Sequence, residues 1–145
     1  MAEGDATVMN NFKEQLLLKT IDCNSDTFKI ALYDVALASP DGADVAYTTT
    51  DEIDEGGAVA GYTTGGQSIG TAVVTQDDAN NRAKWDDDGT NVAWTGLGAA
   101  TIVEARLYDD TTATKWVCIL WEIATNSNGG DYTLSFHGDG MLLLS

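Results

Sequence analysis

The sequence predicts a mainly β fold, an antiparallel sandwich or barrel entered through one short helix. Three observations predict it. Helical spacing of apolar residues is confined to residues 7–19, and from residue 27 onward the apolar period becomes two. The period-two runs are short and separated by Gly and Asp clusters: Asp41-Gly42, Gly56-Gly57, Gly65-Gly66, Asp86 to Gly89, Asp109-Asp110 and Asn128 to Asp131. Such spacing, without helices in between, excludes a parallel α/β sheet.

Taken in order, the first element is a helix over residues 7–19. Val8, Phe12, Gln15 and Leu16 recur at three-to-four spacing, Asp5 or Thr7 stands where an N-cap belongs, and Lys19 stands where the helix dipole favours a cation. Leu16-Leu17-Leu18 is apolar around most of a turn, so this helix is either a lid on the core or a docking element. Phe28, Ile30 and Leu32 then alternate with Lys29, Ala31 and Tyr33. In Thr101 to Tyr108, Val103, Ala105 and Leu107 share one face, and Glu104 and Arg106 share the other. In Asp131 to His137, Tyr132, Leu134 and Phe136 oppose Thr133, Ser135 and His137. Each is a half-buried strand pattern. Residues 115–123 are apolar on both faces and read as a central strand. Ser68 to Gln76, Asn81 to Trp85, Asn91 to Thr95 and Met141 to Leu144 complete the strands. A hairpin around the acidic turn would bring Trp85 and Trp94 together. One domain over 1–145 is expected, with a helical segment 1–20 and a β-sandwich 21–145.

Charge removes several function classes. Seven Lys and Arg stand against twenty-three Asp and Glu, for a net charge of −16. A surface this negative repels phosphate backbones, so no direct nucleic-acid partner is expected, and no membrane partner either. The N-terminus, Met-Ala-Glu-Gly-Asp, lacks the basic start and apolar stretch of a secretory signal, so export by that route is not expected. Cys23 and Cys118 belong to no metal-binding or redox motif and read as reduced, apolar-like thiols.

No catalytic constellation is evident. His137 is the one histidine and sits at a strand end before Gly138-Asp139-Gly140, without a nucleophile and orienting group in motif spacing. The carboxylate pairs Asp77-Asp78, Asp86 to Asp88 and Asp109-Asp110 all fall in turns, which rarely raise a carboxyl pKa enough for general-acid work. The run from Asp86 to Asn91 resembles a Ca²⁺ loop only in part, because Thr95 stands where an EF-hand requires Glu. No catalytic residue, cofactor or metal is therefore assigned. The four Trp read first as packing residues and second as a sugar-stacking surface.

Several landmarks in order resemble a family of small tailed-bacteriophage structural proteins. They are Phe12-Lys13, Leu16-Leu17, Ile21-Asp22 and the run Ser25 to Tyr33; Gly61-Tyr62-Thr63-Thr64-Gly65-Gly66-Gln67; Trp94-Thr95; Thr101 to Arg106; Gly129 to Leu134; and Asp139 to Leu144. The resemblance covers residues 12–144 and implies a β-sandwich of jelly-roll type in the style of capsid cement or decoration proteins. It implies a virion location, with the major capsid protein and further copies of the chain as partners, and it carries over no catalytic residue. A glycan-binding module at a tail or head fibre is the alternative. The docking surface is expected in two places: the N-terminal segment, through Phe12, Lys13, Leu16, Leu17 and Lys19, and the long loop Asp41 to Gly66, through Tyr47 and Tyr62. Removal of residues 1–19 is expected to weaken docking more than folding.

Overall fold

Residues from 27 onward supply nine strands and residues 6–8 a tenth, all paired antiparallel, in a computed structural model that describes residues 6–39, 45–89, 91–137 and 140–144. They are β1 (Ala6–Val8), β2 (Phe28–Tyr33), β3 (Gln67–Ser68), β4 (Val73–Asp77), β5 (Arg82–Asp86), β6 (Val92–Trp94), β7 (Ala100–Asp109), β8 (Val117–Ser127), β9 (Tyr132–Leu134) and β10 (Leu142–Leu144). One α-helix, α1 (Asn10–Leu17), follows β1, and a single 3₁₀ turn spans Asp78–Asn80. A five-stranded sheet has the order β1-β8-β7-β2-β3, a three-stranded sheet β10-β5-β4, and a two-stranded sheet β6-β9. The protein is thus mainly antiparallel β with one short helix.

The helix is shorter than its spacing predicts, and at both ends the cause is local. Thr7 and Val8, with β-branched side chains suited to a strand, pair with Leu120 and Ile119 on β8. Met9 continues that contact by donating its N–H to the Cys118 carbonyl at 2.9 Å, and occupies the N-cap position in extended conformation. Thr7 is therefore no cap, and Asp5 lies outside the described residues. Lys19, at φ 58°, is the left-handed residue that ends the helix, with the N–H of Thr20 returning to the Gln15 carbonyl at 3.0 Å.

Met9 and Phe12 are fully buried, so the N-terminal segment is built into the core. Truncating residues 1–19 would remove an edge strand and two core side chains. That deletion tests folding rather than docking. Phe12 and Phe28 both meet Trp85, with ring centroids 5.5 and 4.8 Å apart, which seats β5 and its sheet against α1 and β2. Trp85 and Trp94 do not meet across a hairpin. β5 pairs with β4 and β10, whereas β6 pairs with β9, and Trp94 packs against Tyr62 and Tyr132 instead. The segment read as one strand from Ser68 to Gln76 is two, β3 and β4, interrupted around Gly70 at φ 79°.

Two strands read as half-buried are covered on both faces. β7 is the middle strand of the large sheet, with β8 and β2 beside it. Glu104 and Arg106, assigned by alternation to a solvent face, are buried there as an ion pair. On β2, Ala31 and Tyr33 are as buried as Phe28, Ile30 and Leu32. The both-faced pattern of residues 117–120 does match its burial: Val117, Cys118, Ile119 and Leu120 are at most 1% exposed on β8, an interior strand of the sheet. Trp116 and Trp121 at the ends of that run are half-buried. Replacing Leu120 with Ala should cost about 2–5 kcal/mol, because the cavity has packed neighbours on every side. Denaturant melts would show the loss as a lower midpoint with an unchanged slope.

Candidate functional site

The long loop folds down onto the large sheet around one carboxylate. Glu52 is buried and accepts three hydrogen bonds: from the Tyr62 hydroxyl at 2.6 Å, the Gly65 N–H at 2.7 Å and the Tyr47 hydroxyl at 3.1 Å. Tyr62 in turn accepts from the Leu32 N–H at 3.0 Å, and the Ile53 N–H donates to the Leu32 carbonyl at 3.1 Å. The loop therefore seals the edge of β2 beyond the two-residue pairing with β3. The Tyr108 hydroxyl donates to the Gly65 carbonyl at 2.8 Å, and its ring stacks on Tyr47 with centroids 4.2 Å apart. Gly66, at φ 72°, makes the close approach possible, since a Cβ there would run into the Ile30 carbonyl.

Burial pushes the Glu52 carboxyl above its ordinary value, with the hydrogen bonds from Tyr62, Gly65 and Tyr47 opposing the shift. Burial also raises the Tyr62 and Tyr47 hydroxyls, which face that carboxylate. Among the turn carboxylates Asp77-Asp78, Asp86 to Asp88 and Asp109-Asp110, Asp87 departs from the expectation, because its burial raises the carboxyl. Tyr47 and Tyr62 are thus brought together by the fold, on an interior polar network that anchors the loop. Residues 41–44 of the loop lie outside the described residues.

The N-terminal candidates are split by the helix. Phe12 is core, Leu16 is half-buried, and Lys13, Leu17 and Lys19 are exposed. Leu16 lines an apolar groove of about 210 Å³ with Cys23, Val74, Ala83, Trp85, Leu142 and Leu144. Burial and the nearby Asp22 and Asp26 carboxylates push the Cys23 thiol up to about 12, so it stays a neutral, unreactive wall of that groove. Two of the exposed large apolar residues, Val74 and Leu144 (59% exposed), line it; Leu17 (86%) and Leu18 follow Leu16 on the chain, and Leu143 alternates to the other side of its sheet. Residues 10–19 carry two cations and one anion, residues 73–86 two cations and three anions, and residues 142–144 none. Asp22 and Asp26 beside Cys23 add two anions, so these segments together carry −2 of the chain's −16.

Leu143, Leu144 and Val74 are the residues that sequence reasoning misses. The apolar run at 141–144 is legible as a strand, but its position at a sheet edge depends on pairing with β5, 56 or more residues earlier. A second groove, of about 500 Å³, is lined by Trp121, Glu122, Phe136, His137 and Met141 among others, with the Trp121 and Phe136 rings 5.4 Å apart. The one histidine shares that lining with a carboxylate and two aromatic rings.

The Asp86 to Asp88 carboxylates turn onto backbone N–H groups, Asp87 accepting from Gly89 at 3.1 Å and Asp88 from Thr71 at 3.4 Å. Among the described residues no cluster of three or more His, Cys, Asp or Glu is placed to hold a metal ion. No described helix is long and apolar enough to cross a membrane. No family model, curated protein or solved structure matches the chain.

The Glu52 site makes a pH prediction. A carboxyl raised in the folded protein above its ordinary 4.5 binds its proton more tightly folded than unfolded. Its contribution to stability is fully present below that value and is lost as pH rises through the folded-state pKa. Glu52→Gln keeps an oxygen for Tyr62 and Gly65 and offers an N–H to Tyr47, so it removes the titration without emptying the network. Thermal melts at successive pH values should show the variant gaining on the parent protein as pH rises.

Proposed function

We propose that this chain is a structural subunit of a tailed-bacteriophage virion, a cement or decoration protein that binds the assembled head by protein–protein contact. The observation that carries the reading is the set of exposed leucines on α1 and the three-stranded sheet, in segments that carry little of the net charge of a strongly acidic chain. Repulsion from −16 keeps copies soluble and apart, while exposed leucines in weakly charged segments let a subunit dock on a large shell. Many equivalent sites on a symmetric shell turn modest affinities into stable coverage. The layered antiparallel β body is compatible with the jelly-roll architecture that the family resemblance implies, and the major capsid protein is the partner it names.

The α1 part, with Lys13, Leu17, Leu18 and Lys19, is assigned to the shell. Leu17→Asp places a charge at a site that is already solvent-exposed, so folding should lose only about 1 kcal/mol, from the carboxylate at the C-terminal end of the α1 dipole and the lower helix propensity of Asp. Sedimentation with undecorated heads should show binding weakened about tenfold, the factor set by ~1.4 kcal/mol of lost contact. Binding equal to that of the parent protein, or no binding by the parent protein, would refute the assignment.

A second reading, a glycan-binding module on a fibre, is favoured by the groove between Trp121 and Phe136, where aromatic rings adjoin Glu122 and His137. Trp121→Ala separates the two. It should leave head binding unchanged under the first reading and abolish binding to host-surface glycans under the second.

A further inference from the structure

The turn between β8 and β9 holds the one place in the chain where an asparagine precedes a glycine: of eight asparagines only Asn128 does, in Asn128-Gly129-Gly130. The fold requires that glycine. Gly129 stands at φ 91°, a left-handed conformation that residues with a side chain rarely adopt. Without a Cβ, its backbone nitrogen is also open to approach from the preceding side chain. Asn128 is exposed, and among the described residues nothing holds its side-chain amide. That amide is folded forward over the turn, with Oδ1 3.6 Å from where a Cβ on Gly130 would stand. The Gly129 nitrogen, however, is engaged. Its N–H donates to the Leu97 carbonyl at 2.8 Å, and the Leu97 N–H returns to the Gly130 carbonyl at 2.9 Å. Asp131 braces this clamp by accepting from the Gly96 N–H at 2.9 Å, and Leu97 itself is fully buried.

We infer that Asn128 is a spontaneous modification site, which deamidates to aspartate and isoaspartate when the Leu97 clamp opens. Once freed, the Gly129 nitrogen gives up its proton to solvent base and attacks Cγ of Asn128. The N–Cγ bond forms, the Cγ–Nδ2 bond breaks, and Nδ2 leaves as ammonia, closing a succinimide ring. Water then adds to either ring carbonyl. Opening at Cγ restores the main chain with an aspartate. Opening at the main-chain carbonyl of residue 128 leaves isoaspartate, whose backbone runs through Cβ and Cγ and is one methylene longer. No oxidant or reductant is involved, and either product adds one negative charge. The longer backbone cannot restore both Leu97 bonds in register, so conversion locks in an opening that is otherwise transient. The turn leads into β9, which carries Tyr132 against Trp94. The site rests on backbone chemistry and this clamp, not on the virion reading, and either can fail without the other.

Mass spectrometry of the full chain held in mildly alkaline buffer is the test. Replacement of the amide by a carboxyl is read on the peptide that holds Asn128, and fragmentation tells isoaspartate from aspartate. Conversion is expected at Asn128 ahead of the other asparagines. It should run at least about tenfold slower in native buffer than in denaturant, because only the open turn reacts. Asp131→Ala removes the brace on Gly96 and should speed the native reaction severalfold while leaving the denatured rate unchanged. Hydrogen exchange supplies an internal measure, since reaction and exchange both need the Gly129 N–H released from Leu97. The factor by which the fold slows exchange there should match, within about tenfold, the factor by which it slows conversion. Equal rates in the native and denatured chain, or faster conversion at another asparagine, overturn the inference. So does an Asp131→Ala chain that folds but reacts no faster, or a native chain that stays intact while its Gly129 amide exchanges freely. Should Asp131→Ala fail to fold, the match of the two factors in the parent protein decides.

Discussion

Covering β7 on both faces is the constraint from which much of the structure follows. A strand in the middle of a five-stranded sheet, packed above and below, cannot leave Glu104 and Arg106 in water. Buried charges are tolerated only when paired and hydrogen-bonded, and these are. The Arg106 guanidinium lies 3.6 Å from the Tyr33 ring centroid and donates to the Val35 carbonyl at 3.1 Å, while Glu104 accepts from the Leu37 N–H at 3.2 Å. The segment after β2 is therefore held to the sheet by the pair. The Tyr33 hydroxyl carries the contact onward by donating to the Thr48 carbonyl at 2.7 Å, and Glu52 fixes the following turn. One buried ion pair and one buried carboxylate thus position the connection between β2 and β3, whose described residues have almost no regular structure of their own.

The strands were legible in the sequence wherever alternation or an apolar run ended in a Gly or Asp turn. Local pattern decides whether a segment is extended, and β2, β5, β6, β7 and β10 lie close to where alternation places them. Pairing is another matter. Nothing local distinguishes β5 against β10 from β5 against β6, because the choice is made by packing of Trp85 on Phe12 and Phe28. Alternation also misplaces Glu104 and Arg106, since a charged residue at every second position has the same pattern whether the face is wet or holds a satisfied ion pair. Of the candidate site, Leu17, Lys13 and Lys19 are legible as surplus on a helix too small to bury them. Tyr47 and Tyr62 are legible as loop aromatics, but their common partner Glu52 carries no local signal. The carboxylate is interior because the loop closes over it.

Segregation of charge gives the chain two behaviours at once. Spread evenly, −16 would oppose every protein contact. Thinned on α1 and the three-stranded sheet, it leaves exposed leucines where apolar contact decides. The magnitudes favour contact there. Two like charges 10 Å apart in water repel by about 0.4 kcal/mol before screening, and at physiological salt interactions beyond about 8 Å are largely lost. Burying one exposed leucine gains about 1.5–3 kcal/mol. Exposed leucines such as Leu17 and Leu18 can therefore outweigh many distant repulsions, but not a carboxylate placed directly against them. The same inequality explains why neutrality has to be local: it is charge within the contact, not the total, that sets whether leucines meet.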